Sequence, residues 1–184
     1  MGERVSADRL LKQGKSLYEH GKFLEAAGSF EAARLAFLEA EDNLNAAEMA
    51  NNASVAFLQA GEAEQALRSV EGTPGIFSEK GDLKRQGMAL GNLAAALEAL
   101  DRPEEAMDAY RRSAETLLQA GEDQLRASVM QSLSMLQFRQ GRQLQALASM
   151  QNGLENVKRP DPKQILLKRL LNVPIEMITR SRRS

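Results

Sequence analysis

Four alanines recur at intervals of forty residues along this chain of 184 residues: Ala26, Ala66, Ala106 and Ala146. The same columns surround each one: a turn residue five places before (Gly21, Gly61, Asp101, Gly141), a small residue twelve places before (Gly14, Ser54, Ala94, Ser134) and a bulky residue four places after (Phe30, Val70, Tyr110, Met150). A fixed period of this size is typical of stacked repeat proteins, in which each unit buries its apolar face against its neighbours. The period therefore predicts a repeat architecture.

Each forty-residue unit is predicted to hold two helices joined by a tight turn, because apolar residues recur at helical spacing on both sides of the turn residue. In the third unit Asp101 is expected to cap the following helix, with Glu104 completing a capping box. In the second unit the stretch 71–75 contains two glycines and a proline and should break the second helix, which is expected to resume near Gly75 or Ile76.

The predicted fold is an all-α, right-handed α-solenoid without strands. Its four helix-turn-helix repeats span about 6–41, 42–81, 82–121 and 122–160. Residues 161–173 match the first helix of a fifth unit, with Asp161 as the cap and Pro162 at the first position. We expect this helix to cap the stack within one domain that spans residues 1–184, followed by a basic tail at 174–184.

Composition argues against most catalytic chemistry. The chain has no cysteine and one histidine, so disulfide frameworks, thiolate chemistry and most metal sites are not expected. His20 falls at a predicted helix end, where it would interact with terminal carbonyls. The sequence thus predicts no enzyme, no catalytic residues, no cofactor and no metal.

Charge and hydropathy restrict the partners and the location. A net charge of −1 gives no general attraction for nucleic acid. No apolar stretch is long enough to span a bilayer, and the first ten residues do not resemble a signal peptide. A cytoplasmic protein is expected.

The columns resemble the tetratricopeptide repeat pattern, which places a small residue and an alanine twelve apart with an aromatic residue four beyond. The clearest copies are residues 14–18 with 21–33, and residues 93–97 with 103–110. The period exceeds the usual thirty-four residues, so the chain looks like the long-helix branch that includes kinesin light chain. The resemblance implies a scaffold whose concave face, built mainly by first helices, holds a peptide or a partner helix.

The same resemblance implies a row of peptide-binding positions fourteen residues before each anchor alanine: Lys12, Asn52, Asn92 and Ser132. In the long-helix branch, asparagines at this place bind the backbone of an extended peptide. A side-chain amide donates and accepts at once, so it can pair with a peptide unit. Only Asn52 and Asn92 match, and the alternative is that asparagine is a neutral, solvated choice there.

Further residues are predicted on the same inner face: Lys15, Tyr18, Asn51, Val55, Gln59, Gln131, Met135 and Arg139. Leu58 and Phe138 fit either this face or the core. Exposed apolar residues rimmed by polar groups usually mark a protein contact.

The leading interpretation is a non-enzymatic scaffold for protein–protein interaction that binds a protein or peptide in its concave groove. Two alternatives remain open from sequence. The stack could be a self-association module that forms a homo-oligomer, or the basic tail could bind an anionic surface.

Overall fold

The computed structural model describes residues 6–155 and 157–171. These residues form ten α-helices and no strand. In chain order the helices are α1 Ala7–Glu19, α2 Phe23–Glu39, α3 Asn43–Gln59, α4 Ala63–Val70, α5 Thr73–Glu79, α6 Leu83–Ala99, α7 Pro103–Gln119, α8 Asp123–Arg139, α9 Gln143–Glu155 and α10 Pro162–Leu171. The all-α, helical-repeat fold class predicted from the forty-residue period is confirmed.

Tertiary contacts divide the chain into two compact units, residues 1–122 (unit 1) and 123–184 (unit 2). In unit 1, α1 packs on α2, α2 on α3, α3 on α4 and α5, and α6 on α7. In unit 2, α8 packs on α9, and α9 packs on α10. Packing between consecutive helices is what a helical solenoid requires. The description of residues 1–184 as one domain stays a prediction.

A residue with left-handed backbone geometry ends a helix every twenty residues, at Gly21, Glu41, Gly61, Gly81, Asp101, Gly121 and Gly141. The N–H of the next residue donates to a carbonyl five places back, for example from Lys22 to Leu17 at 2.9 Å. This bond satisfies a carbonyl that has no partner inside the helix. The same turn therefore joins helices within a repeat and between repeats.

The third repeat uses this turn without glycine. Asp101 has a φ of 54°, and α7 begins with Arg102 at its N-cap and no side-chain cap bond. The predicted capping box of Asp101 and Glu104 is therefore wrong. The turn needs a left-handed residue one place before the N-cap, and the short polar side chain of aspartate tolerates that geometry. The Arg102 side chain instead donates to Glu105, with Nε 2.8 Å from Oε1.

The second repeat has the predicted break, slightly earlier than expected. Helix α4 ends at Val70, and α5 already begins at Thr73, whose Oγ1 donates to the Val70 carbonyl at 3.0 Å. The helix was expected to resume near Gly75 but begins two residues earlier. Pro74 is tolerated in the first helical turn, because its missing N–H would have no partner there. Phe77 is fully buried, so α5 returns to the core register of the repeat.

Small residues set the distance between paired helices in unit 1. A Cβ at Gly14 would lie 2.7 Å from Cε1 of Phe30, and a Cβ at Gly87 would lie 2.6 Å from Cγ of Leu117. Both distances are shorter than a carbon–carbon contact allows. The anchor alanines of this unit are fully buried: Ala26, Ala66 and Ala106. Small size in these columns is therefore a packing requirement, because interiors are close-packed.

The predicted capping helix is present as α10, and it packs on α9. Asp161 caps it: its Oδ1 accepts from the Gln164 N–H at 2.8 Å, and Gln164 Oε1 accepts from the Asp161 N–H at 3.0 Å. Val173 and the basic tail 174–184 lie outside the described residues. The described helices include no candidate for a membrane-spanning segment.

Candidate protein-binding surfaces

Four of the predicted peptide-binding residues line one pocket of unit 1, which we call the inner pocket. It has a volume of about 240 Å³ and is lined by Lys15, Tyr18, Glu19, Phe30, Asn52 and Val55. The first three come from α1 and the last two from α3, so the pocket lies where the first helices of successive repeats come together. Its lining combines two charges of opposite sign, an amide and apolar side chains, which suits an extended peptide.

The predicted row of asparagines has a different arrangement. Asn92 Nδ2 donates to Asn51 Oδ1 at 2.9 Å, and Asn51 is only 7% exposed. Asn52, one residue further along α3, lines the inner pocket instead. The hydrogen bond between Asn92 and Asn51 thus links α6 to α3. The forty-residue period does not predict this pair, because the two residues are 41 positions apart. A role in peptide binding stays a prediction for all three.

Four further residues that were predicted to bind a peptide lie outside the inner pocket and outside the pair of Asn51 and Asn92. Lys12 and Gln59 are exposed, and neither lines the inner pocket. Gln131 is exposed on α8, and Ser132 Oγ lies 3.4 Å from the Ser128 carbonyl of its own helix. Their predicted contacts with a peptide stay predictions. His20 has the predicted position, since its Nδ1 lies 2.7 Å from the Ser16 carbonyl.

A second, apolar surface lies in unit 2 and is here called the apolar groove. It has a volume of about 570 Å³ and is lined by Ser134, Met135, Phe138, Arg139, Gln143, Leu144, Ala146, Leu147, Met150 and Leu167. Its residues come from α8, α9 and α10. Leu144 is 84% exposed and Phe138 is 65% exposed. Met135 and Arg139, which were predicted on the inner face, line this groove, and their role in binding stays a prediction. Phe138, which fitted either the inner face or the core, is exposed.

Sequence reasoning missed the α9 and α10 side of this groove. It assigned the binding face mainly to first helices, and it placed Met150 only in the column of bulky residues. The signal that was available is the pair Leu144 and Leu147, which lies three residues apart on a helix whose buried face already contains Ala146. A second apolar stripe on one helix is a sign of a second contact.

A hydrogen bond and a close approach, both at small residues, hold α8 and α9 together in unit 2. Ser134 Oγ donates to the Ala146 carbonyl at 2.7 Å, and a Cβ at Gly153 would lie 2.6 Å from Cβ of Met130. The close approach is made at Ser134 and Gly153, while Phe138, Leu144 and Leu147 stay exposed and line the groove.

A buried arginine fixes the end of α9. Arg126 is 5% exposed, and its guanidinium donates to the carbonyl and the side-chain oxygen of Asn152. The last four carbonyls of a helix have no partner within it, and a cation near them is favourable. Arg126 therefore satisfies the C-terminal turn of α9 from α8, and this anchors the helix that forms one wall of the groove.

The shifted pKa values of the described residues belong to helix starts and not to either surface. The backbone N–H of Arg85, then its guanidinium, holds the pKa of Asp82 below its usual value against the effect of burial. A hydrogen bond from Arg102 likewise lowers the pKa of Glu105. Within the described part of the chain, no group of acidic and histidine side chains could hold a metal ion.

The sequence model of the SNAP family, described as Soluble NSF attachment protein, matches residues 5–159. The chain belongs to the SNAP family. The matched range covers helices α1 to α9. SNAP proteins are non-enzymatic helical adaptors that bind protein partners. The resemblance to tetratricopeptide repeats holds at the level of the helical-repeat architecture, whereas the family that matches is SNAP. No curated protein matches the chain.

Proposed function

We propose that this SNAP-family chain is an adaptor that holds an amphipathic helix or an extended peptide of a protein partner in the apolar groove. The observation that carries the proposal is the exposure of large apolar side chains from α8 and α9 around one groove, which half-buried Leu167 of α10 completes. Contiguous exposed apolar surface with a polar rim usually marks a contact with another protein. The family is named for attachment to NSF, and we propose that this chain likewise attaches to a protein.

The groove has the composition that a partner helix requires. Phe138, Leu144 and Leu147 offer apolar surface, while Arg139 and Gln143 stand among them as polar groups. An amphipathic helix presents apolar residues at every third or fourth position, and such a row fits a groove between helices. Met135 and Met150 can adapt their shape to a partner because methionine has three rotatable bonds.

The inner pocket of unit 1 is a second, smaller contact for the same class of partner. Asn52 contributes an amide that can donate and accept at once, beside Lys15 and Glu19. We propose that it binds backbone or polar side chains of an extended segment. A cytoplasmic location, expected from the composition, belongs to the same proposal.

The test begins with a partner co-purified from the native cell, whose Kd is then measured against variants. Leu144→Asp places a charge where a partner would remove water, and it should weaken binding by roughly 2 kcal/mol or more. The matched control is Leu35→Asp, since Leu35 is 54% exposed on α2 and lies outside both surfaces. Asn52→Ala should have a smaller effect. Equal affinities of the Leu144 and Leu35 variants would reject the groove.

Self-association is the second candidate, and the same exposed groove favours it. Two copies could cover each other's apolar side chains, giving a homo-oligomer whose size depends on protein concentration. Sedimentation of the wild type and of Leu144→Asp distinguishes the two: a dimer that the substitution dissociates supports self-association. The basic tail is tested by neutralising Arg180, Arg182 and Arg183, and a loss of binding confined to this variant would favour the tail.

A further inference from the structure

Two methionines line the apolar groove, and both are more exposed to solvent than the buried methionines of the chain. Met135 of α8 is 57% exposed, and Met150 of α9 is partly buried; both line the groove. By contrast, Met49, Met107 and Met130 are 1%, 0% and 8% exposed. The chain contains no cysteine, so methionine is its only sulfur-containing residue. Among the described methionines of unit 2, the two that are not buried thus both line the proposed binding groove.

We infer that Met135 and Met150 form an oxidation-sensitive site that turns off binding in the apolar groove. This inference rests on the proposed function of the groove. The oxidant is hydrogen peroxide: its O–O bond breaks, one oxygen forms an S–O bond with the thioether, and the other leaves as water. Sulfur loses the two electrons that peroxide gains, so the products are methionine sulfoxide and water.

The chemical change acts where an apolar partner would make contact. A thioether is apolar and adaptable, whereas a sulfoxide is polar and accepts hydrogen bonds from water. A partner that covers the sulfoxide with apolar side chains removes that water and offers no donor in return, which is unfavourable. The hydrogen bonds that join α8 to α9 are made by Ser134 and Arg126 and involve neither sulfur atom, so the groove should keep its shape.

The fold provides an internal control for exposure. Met88 of α6 is 38% exposed in unit 1 and does not line the groove. It should oxidise under the same conditions as Met135, but its oxidation should leave groove binding unchanged. The three buried methionines should remain thioethers as long as the protein is folded.

The experiment uses the full chain and the dye anilinonaphthalene sulfonate, which fluoresces when its rings leave water. Peptide mass mapping after mild peroxide treatment measures the oxygen gained at each methionine. The Kd of the dye should rise roughly ten-fold once both groove methionines are oxidised. Methionine sulfoxide reductases should restore the original Kd. A Met135→Leu and Met150→Leu double variant keeps the volume of the groove and should bind the dye equally before and after peroxide; Met88→Leu should respond like the wild type.

The outcomes separate this inference from the proposed function. If Leu144→Asp weakens dye binding but full oxidation of Met135 and Met150 does not, the oxidation site is rejected and the groove remains a binding surface. If neither change affects the dye, both proposals are rejected. Equal loss of dye binding in the wild type and the double leucine variant would also reject the site, since the cause would lie elsewhere.

Discussion

In α2, α4 and α7 of unit 1 the anchor alanines have no exposed surface, whereas Ala146 in α9 of unit 2 keeps 5% and forms part of the apolar groove. Both units follow the same forty-residue pattern, and both bring paired helices together at small side chains. Unit 1 covers its anchors with neighbouring helices. Unit 2 leaves the space beside its anchor open between α8, α9 and α10. The comparison teaches that one sequence pattern can produce a closed core in one place and an exposed apolar groove in another.

The largest expected effect tests this difference directly. Ala106→Leu should destabilise the protein by about 3 kcal/mol, because there is no space for the larger side chain in a close-packed helix pair. Ala146→Leu should lower the free energy of unfolding by less than about 1 kcal/mol, because its side chain can extend into the groove. Urea unfolding followed by circular dichroism measures both. Similar losses would show that the groove beside Ala146 is not open space.

Acid should weaken the start of α6 in unit 1, where a carboxylate caps the helix. Asp82 caps α6 by accepting from the Arg85 N–H at 2.9 Å, and Asp82→Ala should cost about 1–2 kcal/mol at neutral pH. Because the folded pKa of Asp82 is lowered, its contribution is present above the unfolded value of about 3.9 and is lost as pH falls through the folded pKa.

The free energy of unfolding of wild type and Asp82→Ala, measured from neutral pH to below pH ~4, checks this prediction. The two curves should converge at the acid end. Asp108→Ala, an exposed position on α7, serves as control and should show no such convergence. In unit 2 the hydrogen bonds that Ser134 and Arg126 make between α8 and α9 involve no carboxylate, so acid should leave these two contacts in place.

Two serines of the small column should respond with opposite sign. Ser54 in unit 1 is fully buried, and its Oγ has no hydrogen-bond partner among the described residues. Ser54→Ala should therefore stabilise the protein by about 1 kcal/mol, since a buried unpaired hydroxyl is unfavourable. Ser134→Ala in unit 2 removes the bond to Ala146 and should destabilise by about 1 kcal/mol. Differential scanning calorimetry resolves the sign, and changes in the same direction would contradict the comparison.

The smallest effect concerns the turns. Glu41, in the turn between α2 and α3, adopts left-handed geometry with a φ of 59°. The turn between α8 and α9 has a glycine, Gly141, at its left-handed position. Glu41→Gly should stabilise by about 0.5 kcal/mol, because relief of the backbone strain exceeds the added freedom of the unfolded chain. Gly141→Ala should destabilise. Thermal unfolding of both variants measures the difference, and a loss of stability in Glu41→Gly would mean that its side chain makes a contact of its own.

The sequence period predicted the fold well because turns and small residues obey local rules. Helix ends, the interruption near Gly72 and the cap at Asp161 all follow from backbone geometry within a few residues. The position of Asp101 was misassigned because aspartate suits both an N-cap and a left-handed turn, and only the hydrogen bonds of the turn decide between them.

The binding surfaces were only partly predictable, for a different physical reason. Asn51 and Asn92 meet because of how α3 crosses α6, and a crossing is not encoded in the spacing of either helix. Leu144 and Leu147 have the helical spacing of core residues, and whether such residues are covered depends on which helix lies beside them. Lys15, Tyr18, Asn52 and Val55 line one pocket because they lie on the first helices of successive repeats, and their role in binding stays a prediction.

The twenty-residue interval between left-handed turns has a consequence for how such a chain can change its length. A block of twenty residues could be lost or copied without disturbing the turns, but every helix after it would exchange the role of first helix for that of second. Its buried face would then point outward. Forty residues is therefore the smallest cassette that recombination could insert or remove while each helix downstream keeps its own neighbours.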